Sequence, residues 1–321
     1  MRRLPSFLPL LAVVLCLIVS CGRPGALPVY TPVAKVALAD PVLRSCLVAF
    51  SVEQGWKRAG DVLELHCNNP EGSGVSDLAG LDLLPNLHTI NLAHNEIEDV
   101  GPVFALTHLV DVDLGYNVID RIPGESSHLG LRRLNLDHNQ LRDLSWVQRF
   151  PRLITLSAAH NKISDLGPLQ FTPEMEDLNL EHNRITDASP LAYLTRLRWL
   201  DLGNNEVRSL SPVTGLEQLK ALIADDNQVD SVADLTTLKR LDELSLAGNP
   251  VTDVTPLSEL SNLRRLTLDR TAIRDTAALE VLGNLQQLSI KQLPGLSCEA
   301  RARLIAELGD DVVNAGRDCE S

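Results

Sequence analysis

The fold is decided by the stretch Leu87-His88-Thr89-Ile90-Asn91-Leu92-Ala93-His94-Asn95-Glu96-Ile97, whose pattern returns every 22 residues. Apolar residues stand at fixed offsets from Asn95, and the same frame surrounds each later asparagine. A repeat of this kind predicts coils of chain that stack on one another, each supported by its neighbours. The repeated asparagines are Asn95, Asn117, Asn139, Asn161, Asn183, Asn205, Asn227 and Asn249.

Each coil is predicted to contain one short strand and one turn that the asparagine completes. The residues Ile90-Asn91-Leu92 alternate with the period of a strand, so apolar side chains point inward and the intervening ones outward. Where the chain leaves the strand, backbone N–H and C=O groups would be buried unpaired, at a cost of about 1 to 3 kcal/mol each. Because an asparagine amide bonds both kinds of group, we expect the asparagines to form a ladder through the stack.

The return limb of each coil is expected to be short 3₁₀ turns or loop. An aspartate four residues after the ladder asparagine, such as Asp99, can accept from the N–H groups of the next turn, and prolines stop the limb from continuing as a helix. These prolines are Pro102, Pro168, Pro190, Pro212 and Pro256. In one coil, small or polar residues replace the apolar convex ones and predict a looser loop: Gly124, Ser126, Ser127 and His128.

The repeated frame resembles the short leucine-rich repeats of the bacterial internalins and of a regulatory subunit of protein phosphatase 1. They share its period and its Leu-x-Leu-x-x-Asn core, over about residues 60 to 293 of this chain. The resemblance implies an α/β solenoid, a leucine-rich-repeat horseshoe with a parallel concave β-sheet and a mostly 3₁₀ or loop convex side, capped at both ends. Such horseshoes are protein-binding modules whose ligands vary on one scaffold.

The first residues have the form of a lipoprotein signal peptide. Arg2 and Arg3 precede an apolar run that is roughly 12 residues long, shorter than the ~20 needed to span a bilayer. The sequence Leu17-Ile18-Val19-Ser20-Cys21 resembles a bacterial lipobox, which implies cleavage before Cys21 and lipidation of that cysteine. The resemblance implies an export to the bacterial cell envelope, at the outer membrane where there are two membranes. The alternative is an ordinary signal peptide with an incidental cysteine.

Both flanks of the repeats are predicted to cap the terminal coils, which would otherwise expose core leucines. Asp40-Pro41 starts a helix that Gly55 can end, and Ser297 can cap a second helix that stops at Gly309. The predicted segments are the signal peptide 1–20, a tether 21–38, an N-terminal cap with a degenerate first strand 39–68, repeats 69–293 and a C-terminal cap 294–321.

Four cysteines remain once Cys16 in the signal and Cys21 are set aside, and they allow three pairings. Nine coils at ~4.8 Å each would separate the two ends by ~40 Å, whereas a disulfide needs Cα atoms within ~7 Å. The pairs left are Cys46 with Cys67 and Cys298 with Cys319, one in each cap. Buried free thiols are the alternative, and the absence of a Cys-x-x-Cys pair speaks against zinc.

The strand residues that face outward line the concave side and form columns through the stack. Trp199 stands on an otherwise polar and acidic face, with Ile223 on the next coil, and resembles the aromatic anchor of a binding hot spot. Plain solvation of the acids, and an indole that only covers its neighbours, are the alternatives. The residues predicted to contact a partner are Trp199, Asp201, Ile223, Asp177, Asp225 and Tyr116.

A second column, one residue before the ladder, contains three histidines on consecutive coils: His138, His160 and His182. At a spacing of ~5 Å they could share a metal ion, or repel one another when protonated below pH ~6.5. The simpler interpretation is that duplication of the repeat copied a tolerated residue. No metal or other cofactor is therefore predicted.

The formal charge of −13 becomes −15 when residues 1–20 are removed, because they contain Arg2 and Arg3 and no acids. Nucleic acid and bare anionic lipid are poor partners for such a chain. The sequence contains no Gly-x-Ser-x-Gly, His-Glu-x-x-His, phosphate-loop or dinucleotide motif, so an enzyme is not predicted. We expect a monomeric, membrane-anchored module that binds a protein or peptide of basic character. The alternatives are an architectural envelope protein without a discrete ligand and a surface adhesin.

Overall fold

The computed structural model describes residues 28–69, 74–124 and 127–316. The signal peptide, Cys21, Ser126 and Cys319 lie outside the described residues, so the predictions made for them stay predictions. Within the described ranges, twelve parallel strands form one open, curved sheet in which the strand order follows the chain. The architecture is the predicted leucine-rich-repeat horseshoe.

Each strand is only two or three residues long. The strands are β1 Glu64–His66, β2 Thr89–Asn91, β3 Asp111–Asp113, β4 Arg133–Asn135, β5 Thr155–Ser157, β6 Asp177–Asn179, β7 Trp199–Asp201, β8 Ala221–Ile223, β9 Glu243–Ser245, β10 Arg265–Thr267, β11 Gln287–Ser289 and β12 Val313–Asn314. The nine expected coils correspond to β2–β10. Three further strands extend the sheet: β1, where the degenerate first strand was predicted, and β11 and β12 at the other end.

One core runs the length of the stack beneath these strands. The central residue of each full strand, such as Leu178 or Leu200, is completely buried, while the residues on either side reach the concave surface. The register is strict: Leu178 pairs with Leu200, and Leu200 pairs with Leu222. Each central strand residue therefore packs against the equivalent apolar residue of the next coil, which buries apolar area in each unit.

The return limbs are short, as predicted, but their prolines act differently from the prediction. Each of these prolines is the second residue of its turn. Pro102 lies in the one-turn helix α2, Gly101–Phe104, and the others lie in 3₁₀ turns: Pro168, Pro190, Pro212 and Pro256. Proline suits that position because its fixed φ is helical and its missing N–H would be unpaired there. The prolines thus start these turns. The 3₁₀ turns after β4 are Ser145–Arg149, Gly167–Phe171, Ser189–Tyr193, Ser211–Val213, Ala233–Thr237, Thr255–Glu259 and Ala277–Leu279.

The coil between β3 and β4 has no such turn among its described residues, in line with the looser loop. Its His128 is nevertheless fully buried, which the sequence pattern did not indicate. The imidazole packs edge-on against Phe104 and Phe150, and its Nε2 lies 3.1 Å from the carbonyl oxygen of Phe104. A histidine thus fills the place of an apolar convex residue.

The N-terminal cap is larger than predicted. The helix α1, Pro41–Gln54, starts at Asp40, which accepts hydrogen bonds from Val42 and Leu43, and ends at Gly55 with φ 75°. The predicted tether 21–38 is too long, because Val33, Val36 and Leu38 are buried. These apolar side chains help to cover the first coil, so the chain is already packed from residue 33.

The caps contain disulfides. Cys46 in α1 is joined to Cys67, just after β1, with Cα atoms 5.9 Å apart. Cys298 begins the helix α3, Cys298–Leu308, which Ser297 caps, and is also disulfide-bonded. No helix within the described ranges is long and apolar enough to cross a membrane.

Candidate binding surface

The asparagine ladder fixes the backbone from which the surface side chains project. Asn161 donates from Nδ2 to the carbonyl oxygens of Ala158, Ala159 and, in the preceding coil, Leu136 at 2.9 to 3.1 Å. Its Oδ1 accepts from the N–H of Leu141 in that same coil at 2.9 Å. One side chain thus satisfies four buried backbone groups and joins two coils. The same pattern recurs from Asn117 to Asn249, so equivalent side chains are held in register.

The structure brings five of the six predicted contact residues together. Trp199 lies in register between Asp177 and Ala221 in the first column of the concave face, and Asp201 lies beside Ile223 in the second column. Asp225 follows two residues after Ile223. Tyr116 is separate: it lies just beyond β3, four strands away, on the rim of the sheet.

A side-chain turn shapes the end of several strands. The side chains of Asn91, Asn135 and Asn179 each accept a hydrogen bond from the N–H two residues later, at 2.9 to 3.0 Å. Asp201 makes the same bond to Gly203 at 2.8 Å, and Asp113 makes it to Gly115 at 3.1 Å. An uncharged amide therefore meets the structural need of this position, and the charge of Asp201 is additional to it.

The charge at Asp201 is unfavourable in its surroundings. The residue is only 8% exposed. Burial raises the pKa of its carboxyl, the nearby charges of Glu181 and Asp225 add to the rise, and the hydrogen bond from Gly203 opposes it, so that the pKa is about 6. Burial likewise raises the pKa of Asp113 above its usual range. A partner that supplies a positive charge would relieve this cost at Asp201.

Asp225 has a structural function of its own. Its Oδ1 accepts from the hydroxyl of Ser245 at 2.6 Å and from the N–H of Ala247 at 2.7 Å, both in the next coil. Asp137 makes the same pair of bonds to Ser157 and Ala159. This aspartate–serine pair replaces the side-chain turn where the strand ends in serine. Asp225 therefore lies at the site but is also needed for the fold.

Trp199 is half-buried, and its indole N–H makes no hydrogen bond to the described residues. The neighbouring Ala221 is 8% exposed, while Ile223 remains partly exposed. Asp177 accepts a hydrogen bond from Thr155 at 3.3 Å. The indole thus lies beside the buried Ala221, and part of its surface remains exposed to solvent.

The rim of the sheet is lined by a continuous stack of rings. Centroids are 4.2 Å apart for His94 and Tyr116, 4.0 Å for Tyr116 and His138, 3.9 Å for His138 and His160, and 4.1 Å for His160 and His182. All five residues have φ between 51° and 59°, a left-handed conformation in which histidine and asparagine are enriched. We call these five residues the ring column. Tyr116 belongs to it, and its ring stacks between those of His94 and His138.

Two residues of the site, Glu181 and Gly203, were not identified from the sequence. Glu181 places a carboxylate 3.6 Å from Nε2 of His182. A Cβ at Gly203 would stand 3.1 Å from Oδ1 of Asp201 and 3.4 Å from Cγ of Glu181, so glycine keeps the two acids close together. Both occupy the position two before the ladder. Reading that column, which varies from alanine and glycine to acids, would have found them.

Comparison with protein families identifies the repeats. Models described as "Leucine rich repeat" and "Leucine Rich repeats (2 copies)" match residues 85–141 and 151–193, and the leucine-rich-repeat model of "Leucine-rich repeat and WD repeat-containing protein 1" matches residues 185–281. No curated protein matches the sequence at a significant level.

Solved structures with the same fold include bacterial proteins. An internalin of Listeria monocytogenes is 22% identical, with a TM-score of 0.62, over 89% of this chain and 98% of its own. An internalin C2 of the same species is 29% identical, with a TM-score of 0.57, over 74% of this chain and 96% of its own. A leucine-rich-repeat protein of Leptospira interrogans is 19% identical, with a TM-score of 0.51, over 79% and 84% of the two chains. The chain is a leucine-rich-repeat protein with a fold of the internalin-like class.

Proposed function

We propose that this chain is a membrane-anchored protein-binding module, whose concave face holds a cationic group of its partner at Asp201, beside Trp199. The observation that carries the proposal is the excess charge of Asp201. Asn179, one coil earlier, makes the same turn without a charge, whereas the carboxylate of Asp201 is retained in a buried place where its ionisation is opposed. Groups perturbed in this way are concentrated at functional sites.

The acids around Asp201 also lack the basic partners that acids elsewhere on this face have. Arg133 pairs with Asp111 at 2.6 Å, and Arg265 pairs with Glu243 at 2.7 Å. Within the described ranges, no lysine or arginine forms an ion pair with Glu181, Asp201 or Asp225. The negative potential of this region is therefore available to attract a lysine or arginine of a partner and to speed the encounter.

Trp199 supplies the apolar part of the site. A half-buried indole with an unbonded N–H offers both contact area and a hydrogen-bond donor, as aromatic residues of binding hot spots do. Because Ile223 remains partly exposed on the next coil, a side chain that pairs with Asp201 would also pack against apolar surface. Desolvation by such a partner strengthens the charge pair.

Structural relatives support binding of a protein in general terms. The leucine-rich-repeat ectodomain of the membrane receptor kinase GASSHO1/SCHENGEN3 of Arabidopsis thaliana, 18% identical, was solved in complex with Casparian strip integrity factor 2. Another relative, 22% identical, is a complex of LRIM1 with APL1C. The location of the site on this chain rests on its own residues.

The test is selection of binders from a displayed library of peptides, followed by measurement of their dissociation constants. We expect lysine- or arginine-containing binders, and a loss of about tenfold or more, ~1.4 kcal/mol, for Asp201→Asn and for Trp199→Ala. The matched control is Asp113→Asn, which removes a charge from the same turn four strands away and is expected to leave affinity unchanged. Equal affinity for all four proteins would exclude Asp201 and Trp199 as the site.

The membrane anchor rests on the lipobox-like sequence that ends at Cys21. We expect an acyl-chain analogue supplied to cells to label the protein, and Cys21→Ser to abolish the label. Cys16→Ser, five residues earlier within the signal, is the matched control and is expected to keep it. Labelling that survives Cys21→Ser would contradict the anchor without touching the concave site.

A further inference from the structure

The ring column ends in a group of three potential metal ligands that lie on two adjacent coils. His160, Glu181 and His182 each offer one ligand atom, and these atoms all lie within 4.8 Å of one another. Glu181 reaches the column because its carboxylate turns towards the rim, 3.6 Å from Nε2 of His182 and 3.5 Å from Nδ2 of Asn204. The histidine column in the sequence did not indicate that Glu181 would lie beside it.

We propose that His160, Glu181 and His182 form a binding site for a divalent transition-metal ion such as Zn²⁺. Two imidazole nitrogens and one carboxylate oxygen suit Zn²⁺, Cu²⁺ and Ni²⁺, whereas Mg²⁺ and Ca²⁺ prefer oxygen ligands throughout. Bonds of about 2.0 to 2.2 Å place the ligands of one tetrahedral ion roughly 3.4 Å apart. The three atoms therefore need to close by about 1 Å or somewhat more, and both Glu181 and His182 are exposed enough to move.

The orientation of the rings favours this end of the column. A metal binds in the plane of an imidazole, so two stacked rings must tilt towards each other to share an ion. The rings of His160 and His182 are already inclined by 23°, against 12° for His138 and His160. Within the described ranges, no carboxylate forms a comparable group of ligands with His138 and His160.

The position of His182 leaves it room to tilt. It is the last ring of the column, and the next coil places Asn204 there. His160, by contrast, is held on its other face by His138. We therefore expect His182 and Glu181 to move to the metal while His160 stays close to its place.

The surrounding charges favour a cation. The carboxylates of Asp137 and Glu181 interact electrostatically with the ring of His160, and the charge of Glu181 also interacts with Asp201. As noted for the concave face, Glu181 and Asp201 have no lysine or arginine partner in the described part of the chain. A bound dication would neutralise part of this charge.

The test is calorimetric titration of the full chain, stripped with EDTA, with Zn²⁺ and separately with Mg²⁺ in the absence of any partner. We expect one Zn²⁺ per chain, no heat from Mg²⁺, and a weakening of at least about tenfold for His160→Asn and for His182→Asn. Asparagine is the chosen replacement because Asn204 occupies the same column with the same backbone conformation. His94→Asn is the matched control, with the same change at the other end of the column and unchanged affinity.

Titration with Co²⁺ gives a second measurement, because its visible absorption reports the ligands of the ion. We expect the spectrum to change in Glu181→Gln and to be lost in His160→Asn. Absence of Zn²⁺ binding, or equal weakening by His94→Asn and His160→Asn, would overturn the proposal. Peptide binding at Asp201 is measured without metal, so failure of one proposal is distinguishable from failure of the other.

Discussion

Oδ1 of Asp201 accepts a hydrogen bond of 2.8 Å from the N–H of Gly203, in a turn that asparagine forms equally well elsewhere in the stack. The hydrogen bond is needed for the turn, whereas the charge is not, because the uncharged Asn179 makes the same bond in the preceding coil. A site for recognition can therefore be separated experimentally from the fold that presents it, because Asp201→Asn keeps the turn and removes only the charge.

Asp201→Asn is expected to stabilise the protein at neutral pH. The carboxyl has a pKa of about 6 in the folded state, above its usual 3.8, so ionisation near pH 7 opposes folding by up to about 3 kcal/mol. This destabilisation is complete above pH 6 and disappears as the pH falls towards 3.8. Urea unfolding at pH 7.5 and pH 4.5 measures it. A variant no more stable than its parent at pH 7.5 would contradict the buried charge.

His128→Leu is expected to reduce the sensitivity of the protein to acid. Burial lowers the pKa of His128 below its usual 6.5, and the nearby Arg149 lowers it further. As the pH falls below 6.5, the unfolded chain binds a proton that the folded state resists, so stability falls by up to about 1.4 kcal/mol per pH unit. Unfolding between pH 7 and pH 5 should show a shallower fall in the variant. An unchanged slope would contradict this assignment.

The effects of Asp201 and His128 oppose each other between about pH 6 and pH 5. The two variants should therefore change the pH dependence of the free energy of unfolding in opposite directions. The parent protein shows only the sum of the two effects. Comparing both with the parent in one series distinguishes these two residues from the remaining titratable groups.

Asn161→Ala is expected to destabilise the stack by about 3 kcal/mol or more. It removes the amide that satisfies the carbonyls of Leu136, Ala158 and Ala159 and the N–H of Leu141, and each buried group left unpaired costs about 1 to 3 kcal/mol. The control is Asn262→Ala, an exposed asparagine with one bond to Lys239, expected to cost below about 1 kcal/mol. Chemical unfolding measures both, and equal effects would argue against the ladder.

Cys67→Ser is expected to loosen the N-terminal cap while leaving the centre of the stack intact. The disulfide closes a segment with a sequence separation of 21, for which a stabilisation of about 3 kcal/mol is typical. Since each coil rests on its neighbours, amide exchange should accelerate in α1 and β1 but not in β7. Acceleration spread evenly along the chain would contradict a local effect.

The repeat could be predicted because its determinants are local. Spacing of 22 residues, buried leucines and the ladder asparagine act within one coil and its neighbour, so the pattern carries the whole architecture. The starts of the caps at Asp40 and Ser297 were predictable for the same reason, since a capping residue acts on the next turn of the helix.

The rest depended on contacts that no short pattern encodes. The burial of Val33 depends on the open end of the first coil, which exists only once the stack has formed. His128 is buried because the coil beside it places Phe104 and Phe150 around it. Glu181 meets His160 because a side chain of one column leans into another, and spacing along the chain does not give that angle.

The ladder bonds of Asn161 reach back to one earlier coil and no farther. Removal of a whole number of repeat lengths would therefore rejoin equivalent neighbours, whereas a deletion of any other length would shift every later side chain out of line. Insertions and deletions in such a protein are therefore expected to comprise whole repeats. The number of coils can then change while the coils around Trp199 keep their structure.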